Sequence, residues 1–252
     1  MGATADAWPS WRGSALVVGC GGIGQALLAA IGRRAPQLQR LGASRQDWRT
    51  GQEHRWLGTH HLPLELGDDA SLANLRTNLE PWPPLRLVIY TAGLLHGAGL
   101  QPEKRLSQVS RAALERSFAV NAYGPLLVAQ AVEASLTADQ PFHFASLSAR
   151  VGSIGDNQLG GWYAYRAAKA AQNQLLRTLA LEWRRRHPKG CVSLLHPGTT
   201  ATALSAPFQA GVPPGRLFTP QRAADQLLDV LESLRAEQSG QFWAWDGLPI
   251  AW

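Results

Sequence analysis

The sequence predicts an α/β fold, a doubly wound parallel sheet of seven strands with helices on both faces. Three observations predict it. Apolar runs of strand length recur along the chain, stretches of helical periodicity alternate with them, and no internal repeat or long linker divides the pattern. Right-handed crossovers connect such strands. We therefore expect residues 1–252 to form one domain.

The seven strands are predicted at short apolar runs, and the five helices at stretches with apolar residues every three to four positions. The strands span residues 15–18, 39–43, 61–66, 86–90, 142–147, 192–196 and 241–245. The helices span residues 22–33, 70–78, 110–136, 161–186 and 220–236. The irregular stretch 197–216 is rich in Pro, Gly, Ala and Thr and follows the sixth strand, so we expect a mobile substrate loop there. The alternative is a solvated connector.

Composition and charge exclude several classes of protein. The chain has 24 Lys and Arg against 18 Asp and Glu, a formal charge of +6, with 45% hydrophobic and 17% charged residues. These values are far from disordered, collagenous or disulfide-dense sequences. No stripe of arginines alternates with aromatics, and no groove-reading motif is present, so we expect no nucleic-acid partner.

The cysteines and the apolar segments bear on metal binding and location. Cys20 and Cys191 have no metal-ligand spacing and form no disulfide framework, so we expect no metal site and a reducing compartment. The uncharged run 13–31 has the length of a membrane span, but four glycines interrupt its centre and Asp6 precedes it. We expect no membrane association and a cytoplasmic location.

A glycine cluster lies between the first strand and the first helix. Gly19, Gly21 and Gly24 satisfy the pattern G-x-G-x-x-G, and Gly22 and Ile23 complete the start of the helix. Without side chains, the backbone can approach a pyrophosphate at the helix N-terminus. The alternative is a glycine-rich turn that only joins strand to helix. The order of strand, glycines and helix favours a dinucleotide site.

The end of the second strand bears on the choice of cofactor. NAD-binding folds place an acid about 20 residues after the last glycine, for the ribose 2′-hydroxyl. Here the chain has Ser44 and Arg45, which can bind a 2′-phosphate that a carboxylate would repel. The sequence therefore favours NADP, and thus NADPH, although Asp47 is near and Arg45 could be an ordinary exposed cation.

Tyr165 and Lys169 stand four residues apart on a predicted helix, and Lys169 is one of only three lysines. Residues at this spacing share a helix face. A cation close to a phenol favours the phenolate, so we expect Lys169 to lower the pKa of Tyr165 and make it a general acid and base. The alternative is a surface pair without function.

Together with the glycine loop, this pair resembles the short-chain dehydrogenase/reductase family, whose fold is Rossmann-like, over nearly the whole chain. The run from Ser148 to Lys169 is similar to the C-factor/carbonyl-reductase branch in particular. Further segments resemble family motifs. They are Phe118-Ala-Val-Asn121, Tyr90-Thr-Ala92-Gly93, Glu65-Leu66-Gly-Asp68 and Pro197-Gly198-Thr199-Thr-Ala-Thr202.

The resemblance implies roles for these residues. Tyr165 would exchange a proton with the substrate oxygen while hydride passes from the nicotinamide, Lys169 would hold the ribose, and Asn121 would support a relay water. Leu66 would lie beside the adenine, Ala92 and Gly93 would line the cofactor cleft, and Pro197, Gly198, Thr199 and Thr202 would hold the carboxamide. It also implies a small-molecule carbonyl substrate and a homodimer or homotetramer.

Three departures from the family pattern matter. The glycine loop is one residue shorter between Gly19 and Gly22, and Thr91 replaces the usual asparagine. Position 149, where the family has the serine that polarises the carbonyl, is Ala149. The hydroxyl must come from Ser148, which we favour slightly, or from Ser153. The sequence thus predicts an NADPH-dependent carbonyl reductase. The alternative is a nucleotide-binding regulatory or signalling protein with little turnover.

Overall fold

A computed structural model describes residues 8–48, 50, 56, 58–97 and 99–252. Seven of its strands are β1 (Gly13–Val18), β2 (Leu38–Ser44), β3 (Thr59–Pro63), β4 (Leu85–Tyr90), β5 (Phe142–Leu147), β6 (Gly190–His196) and β9 (Gln241–Ala244). They form one parallel sheet in the order β3-β2-β1-β4-β5-β6-β9. All seven predicted strands are present, which confirms the doubly wound, Rossmann-like fold.

Six α-helices flank the sheet in the described part of the chain. They are α1 (Gly22–Arg34), α2 (Asp69–Leu79), α3 (Arg111–Phe118), α4 (Gly124–Val132), α5 (Tyr163–Arg186) and α6 (Pro220–Ser233). Two clusters of buried side chains lie on opposite faces of the sheet. One packs α2, α4 and α5 against it, and the other packs α1 and α6. Both faces are therefore covered, as a parallel sheet requires.

The long helix predicted over 110–136 is interrupted. A π-helical turn, Ala119–Tyr123, separates α3 from α4, and a 3-10 turn, Glu133–Ser135, ends the segment. The phenol of Tyr90 on β4 donates a hydrogen bond to Val120 O at 2.7 Å, so a side chain of the sheet contacts the backbone of the π turn.

The segment after β6 carries more structure than an irregular loop. Its β7 (Thr199–Thr200) pairs with β8 (Leu217–Phe218), and a 3-10 helix, Ala206–Gly211, lies between them. The predicted substrate loop, 197–216, is thus anchored at both ends by a two-stranded ribbon. In the described part of the chain, no helix has the length and apolar character needed to span a membrane.

Candidate active site

The residues of the sequence motifs lie together at the carboxyl edge of the sheet. Strands β1, β4, β5 and β6 end immediately before Gly19, Thr91, Ser148 and Pro197. The strand order reverses between β1 and β4. In doubly wound sheets, ligands bind in the crevice at this point of reversal.

The glycine loop packs too closely for side chains. Gly19 has φ +92°, and a Cβ there would lie 2.6 Å from Ala92 N. A Cβ at Gly24 would lie 2.1 Å from Gly19 O. Gly21 and Gly22 are exposed, and Gly21, the N-cap of α1, offers no capping side chain. The first N–H groups of a helix have no partners within it, so this end of α1 fits a pyrophosphate.

Thr91 and the shortened glycine loop, two departures from the family pattern, contact each other. Thr91 Oγ1 lies 2.5 Å from Gly19 O and 3.1 Å from Val18 O, and Thr91 N donates to Val18 O at 2.7 Å. The threonine therefore holds the shortened glycine loop against the end of β4. The sequence showed Thr91 only as a departure from the family pattern and did not reveal this contact.

The predicted adenosine side lies at the ends of β2 and β3. Ser44 Oγ donates to Gln46 O at 2.7 Å and lies 3.3 Å from His61 Nε2. Arg45 is exposed in the turn that follows. Leu66 is half-buried against the core, and Asp68 caps α2 by accepting Ala70 N–H. A 2′-phosphate could thus reach Arg45 from solvent.

Tyr165 and Lys169 lie on one face of α5, in the first two turns of the helix. Tyr165 is 9% exposed and Lys169 is 2% exposed. Lys169 Nζ donates to Leu147 O at 2.7 Å and to Gln172 Oε1 at 2.9 Å, and it lies 5.8 Å from the centre of the Tyr165 ring. The end of β5 therefore fixes the ammonium beside the phenol.

Burial, not the lysine charge, dominates both pKa values. It raises the pKa of Tyr165 above its ordinary value and lowers the pKa of Lys169 to about 7. The prediction that Lys169 lowers the tyrosine pKa is therefore wrong for the protein alone, because desolvation penalises the phenolate and the ammonium alike. At neutral pH Tyr165 carries its proton.

The two candidate serines make different hydrogen bonds. Ser148 Oγ donates to Asn173 Oδ1 at 2.7 Å, so its proton is already engaged. Ser153 Oγ accepts the N–H of Asp156 at 3.2 Å, which leaves its own proton to donate. Ser153 follows Gly152, and a Cβ at that glycine would lie 2.8 Å from Lys169 Cβ. The segment that carries Ser153 thus packs directly on α5 at Lys169.

Asn121 lies fully buried in the π turn and fastens it to the loop after β4. Its Nδ2 donates to Leu94 O at 2.6 Å and to Ser117 Oγ at 3.1 Å, and its Oδ1 accepts Leu94 N–H at 2.9 Å. A Cβ at Gly93 would lie 3.6 Å from Asn121 Oδ1. The side chain therefore organises the backbone that follows β4.

The segment after β6 closes over this edge of the sheet. A Cβ at Gly22 would lie 3.1 Å from Thr202 Cγ2, and His96 Nε2 lies 3.1 Å from Leu204 O. The centre of the Phe208 ring lies 5.0 Å from that of Trp162 and 5.9 Å from that of His96. The ring centres of Trp162 and Tyr165 are 6.2 Å apart.

Pro197, Gly198 and Thr199 begin this segment, and Gly198 has φ +73° with no room for a Cβ beside Phe218. Sequence reasoning did not identify His96 or Phe208, because only the tertiary fold brings their rings together and places Phe208 beside Trp162. Over the described ranges, no group of three or more His, Cys, Asp or Glu side chains could hold a metal ion.

The family model described as short chain dehydrogenase matches residues 14–212. The C-signal of Myxococcus xanthus is 35% identical over 148 residues, 58% of this chain and 83% of that protein. The 1-hydroxy-2-glutathionyl-2-methyl-3-butene dehydrogenase of Rhodococcus sp. (strain AD45) is 34% identical over 163 residues, 63% of this chain and 67% of that protein.

Two solved structures share the fold closely. The NADPH-bound carbonyl reductase from chicken fatty liver superposes with a TM-score of 0.81 at 22% identity, over 96% of this chain and 100% of that chain. The carbonyl reductase Sniffer of D. melanogaster superposes with a TM-score of 0.79 at 22% identity, over the same shares of the two chains, 96% and 100%.

Proposed function

The chain belongs to the short-chain dehydrogenase family of oxidoreductases, and we propose that it reduces the carbonyl group of a small molecule with NADPH. The observation that carries this proposal is the buried pair Tyr165 and Lys169, which lies at the carboxyl edge of the sheet beside the glycine loop. The NADPH bound in the carbonyl reductase from chicken fatty liver supports the choice of cofactor.

The glycine loop and the segment after β6 would hold the cofactor between them. Gly19, Gly21 and Gly22 leave the start of α1 open to the pyrophosphate, and Thr202 lies against Gly22 from the other side. Arg45 is the cation we assign to the 2′-phosphate, since a guanidinium binds phosphate with two parallel hydrogen bonds. When bound, NADPH supplies the hydride.

Tyr165 is the proton donor in this proposal. Hydride addition leaves negative charge on the carbonyl oxygen, and a proton source already aligned with it lowers the barrier. Tyr165 is protonated at neutral pH, since the ordinary pKa of a tyrosine is already well above 7 and burial raises it further. Lys169, with a pKa of about 7, exchanges its proton at the same pH and is the group we assign to the ribose and to proton supply.

Ser153 is the hydroxyl that we assign to the carbonyl oxygen. Ala149 has no hydroxyl, and Ser148 donates its proton to Asn173. Ser153 keeps a donor and belongs to the turn packed on Lys169. This assignment replaces the slight preference for Ser148 from the sequence.

A homodimer or homotetramer is the assembly we propose. Tyr123 in the π turn and Tyr163 at the start of α5 are 43% and 42% exposed. The π turn and α5 pack against each other, so both side chains are available on adjoining elements for contact with a second copy of the chain. Sedimentation of the purified chain measures the assembly directly.

The experiment that tests the function combines binding with turnover. Calorimetric titration with NADPH and then NADH, at one stated ionic strength, should show at least a tenfold preference for NADPH, about 1.4 kcal/mol. The preference should fall in Arg45→Ala and persist in the matched surface variant Arg76→Ala.

Carbonyl compounds are then screened for NADPH oxidation. Tyr165→Phe, which deletes only the proton donor, should lose turnover and keep NADPH affinity. Turnover that survives in this variant contradicts the proposal.

A regulatory or signalling protein that binds NADPH with little turnover is the second candidate. Two observations favour it, the absence of a hydroxyl at Ala149 and the 35% identity to the C-signal of Myxococcus xanthus. It predicts NADPH binding by the same titration without oxidation by any carbonyl compound in the screen.

A further inference from the structure

Glu103 contacts the start of α5 from the loop between β4 and α3. It is 3% exposed. Its backbone oxygen accepts the N–H of Trp162 at 2.5 Å, and its Oε2 accepts the N–H of Ala164 at 3.3 Å. Trp162 is the N-cap of α5 and makes no side-chain capping bond. Glu103 thus supplies, from a distant part of the chain, acceptors that the first N–H groups of a helix lack.

Trp162 has a backbone conformation that needs such support. Among the described residues it is the only non-glycine with positive φ, at 52°, and it follows Gly160 and Gly161 with φ of 64° and 67°. A bulky residue persists in this region only where its surroundings hold it. The bond from Trp162 N–H to Glu103 O holds the turn that leads into Tyr165.

The residue before Tyr165 is held from two sides. Glu103 accepts the N–H of Ala164, and Ser117 Oγ donates to Ala164 O at 3.2 Å. Ser117 in turn accepts a bond from Asn121 Nδ2. The first turn of α5 is therefore linked to the π turn and to the loop after β4.

The second carboxylate oxygen of Glu103, Oε1, is buried without a hydrogen bond in the described part of the chain. Glu103, Ser117 and Tyr165 line one cavity of about 10 Å³, the room that one water molecule needs. A buried carboxylate is costly unless its oxygens are bonded, so its presence beside Tyr165 indicates more than filling of space.

We propose that Glu103 is a positioning residue that sets the place of Tyr165 by holding the first turn of α5. The effect on turnover rests on the proposed function, because it requires Tyr165 to donate the proton. The effect on the placement of Tyr165 does not.

The test compares three variants of the full chain. Glu103→Leu removes the acceptor, and Glu103→Gln keeps an oxygen for Ala164 N–H without the charge. Gln108→Leu is the matched control, because Gln108 Oε1 accepts Lys104 N–H in the same loop and makes no such bond to α5. The protein has four tyrosines, so labelling with ¹³Cζ-tyrosine gives four signals that Tyr→Phe variants assign.

The Tyr165 signal should move in Glu103→Leu and stay in place in Glu103→Gln and Gln108→Leu, while the Tyr90 signal stays in all three. The value of kcat should fall at least tenfold in Glu103→Leu and less than threefold in the other two, with NADPH affinity within twofold throughout. If Glu103→Leu does not fold, Glu103→Asp, with a carboxylate one methylene shorter, should move the Tyr165 signal instead.

An unchanged Tyr165 signal in Glu103→Leu, or in Glu103→Asp if that variant is needed, overturns the proposal. Equal damage in Glu103→Gln and Glu103→Leu does so too. If wild-type protein reduces no carbonyl compound, the proposed function fails, and the tyrosine signals still decide whether Glu103 positions Tyr165.

Discussion

Lys169 titrates near neutral pH because it is buried. Its pKa is 10.5 in an exposed setting and about 7 in the folded chain. Between these values the unfolded chain binds more protons, so the free energy of unfolding rises with pH across this window. Below about pH 7 the whole penalty for burying the ammonium is present. Above about pH 10.5 it is gone.

Lys169→Met removes this pH dependence. Between pH 7 and pH 10, wild-type stability should rise relative to the variant by an amount on the order of 3 kcal/mol. Urea unfolding of both proteins at pH 7, 8, 9 and 10 measures it, and other titrating groups cancel in the difference. A constant difference between the two proteins would show that Lys169 keeps an ordinary pKa in the fold.

Ser148 and Ser153 should separate stability from turnover. Ser153→Ala removes the donor assigned to the carbonyl oxygen, so kcat should fall about 100-fold with little change in NADPH affinity. Ser148→Ala leaves Asn173 Oδ1 without its donor, so the free energy of unfolding should fall by about 1–3 kcal/mol with smaller loss of kcat. Steady-state kinetics and urea unfolding of both variants check this. A large loss of kcat in Ser148→Ala and only a loss of stability in Ser153→Ala would mean that Ser148 is the hydroxyl that polarises the carbonyl.

Spacing within one helix is what made the tyrosine and lysine predictable. Positions i and i+4 share a helix face whatever surrounds them, so Tyr165 and Lys169 could be paired from the sequence. The role of Glu103 could not, since its partner Ala164 lies 61 residues away and no local pattern joins them. The pKa of Tyr165 was wrongly predicted for a similar reason, because its burial depends on the whole fold.

The π turn shows how a strand can alter a helix. The sequence over 110–136 favours a continuous helix, yet Tyr90 on β4 donates to Val120 O. A Cβ at Gly124 would lie 2.6 Å from Tyr90 Oη, so glycine is needed where the phenol passes. Such π turns often occur at functional sites. Here the turn presents Asn121 to the loop after β4, and helical periodicity could not reveal it.

Asn121→Ala should loosen the junction between this turn and the loop. Three hydrogen bonds disappear, and the N–H and C=O of Leu94 lose the amide that paired with both. The free energy of unfolding should fall by about 2–3 kcal/mol, against about 1 kcal/mol for Ser117→Ala, which loses fewer partners. Urea denaturation of the two variants compares these losses. Equal stability of Asn121→Ala and wild type would mean that this contact does not hold the loop.

Several elements have bounds that differ from the predicted ones, for identifiable reasons. Helix α5 begins at Tyr163, not at residue 161, because Gly160, Gly161 and Trp162 all have positive φ. Strands β7 and β8 are two residues each, too short for an apolar run to predict. Both features depend on contacts with distant residues, whereas the long strands follow from local composition.

The overall topology follows from the alternation of strands and helices. Seven apolar runs predicted the seven strands, because a parallel sheet covered on both faces buries nearly every side chain of its central strands. In β4 and β5 every residue is buried. The crossover rules then leave few arrangements, and they place the glycine loop, Thr91 and Pro197 at one edge. The sequence alone did not show how the segment after β6 closes over that edge.

Cofactor binding should stabilise the whole molecule independently of turnover. A ligand at 100 times its Kd that binds only the folded state stabilises it by about 2.7 kcal/mol. For a chain of this size that corresponds to a rise in Tm of about 5–10 °C. Thermal denaturation with NADPH should show this rise equally in wild type and Tyr165→Phe, because the variant loses only a proton donor. Arg45→Ala should show a smaller rise at the same concentration. No rise in wild type would mean that the shortened glycine loop, even with Thr91 behind it, does not bind the dinucleotide.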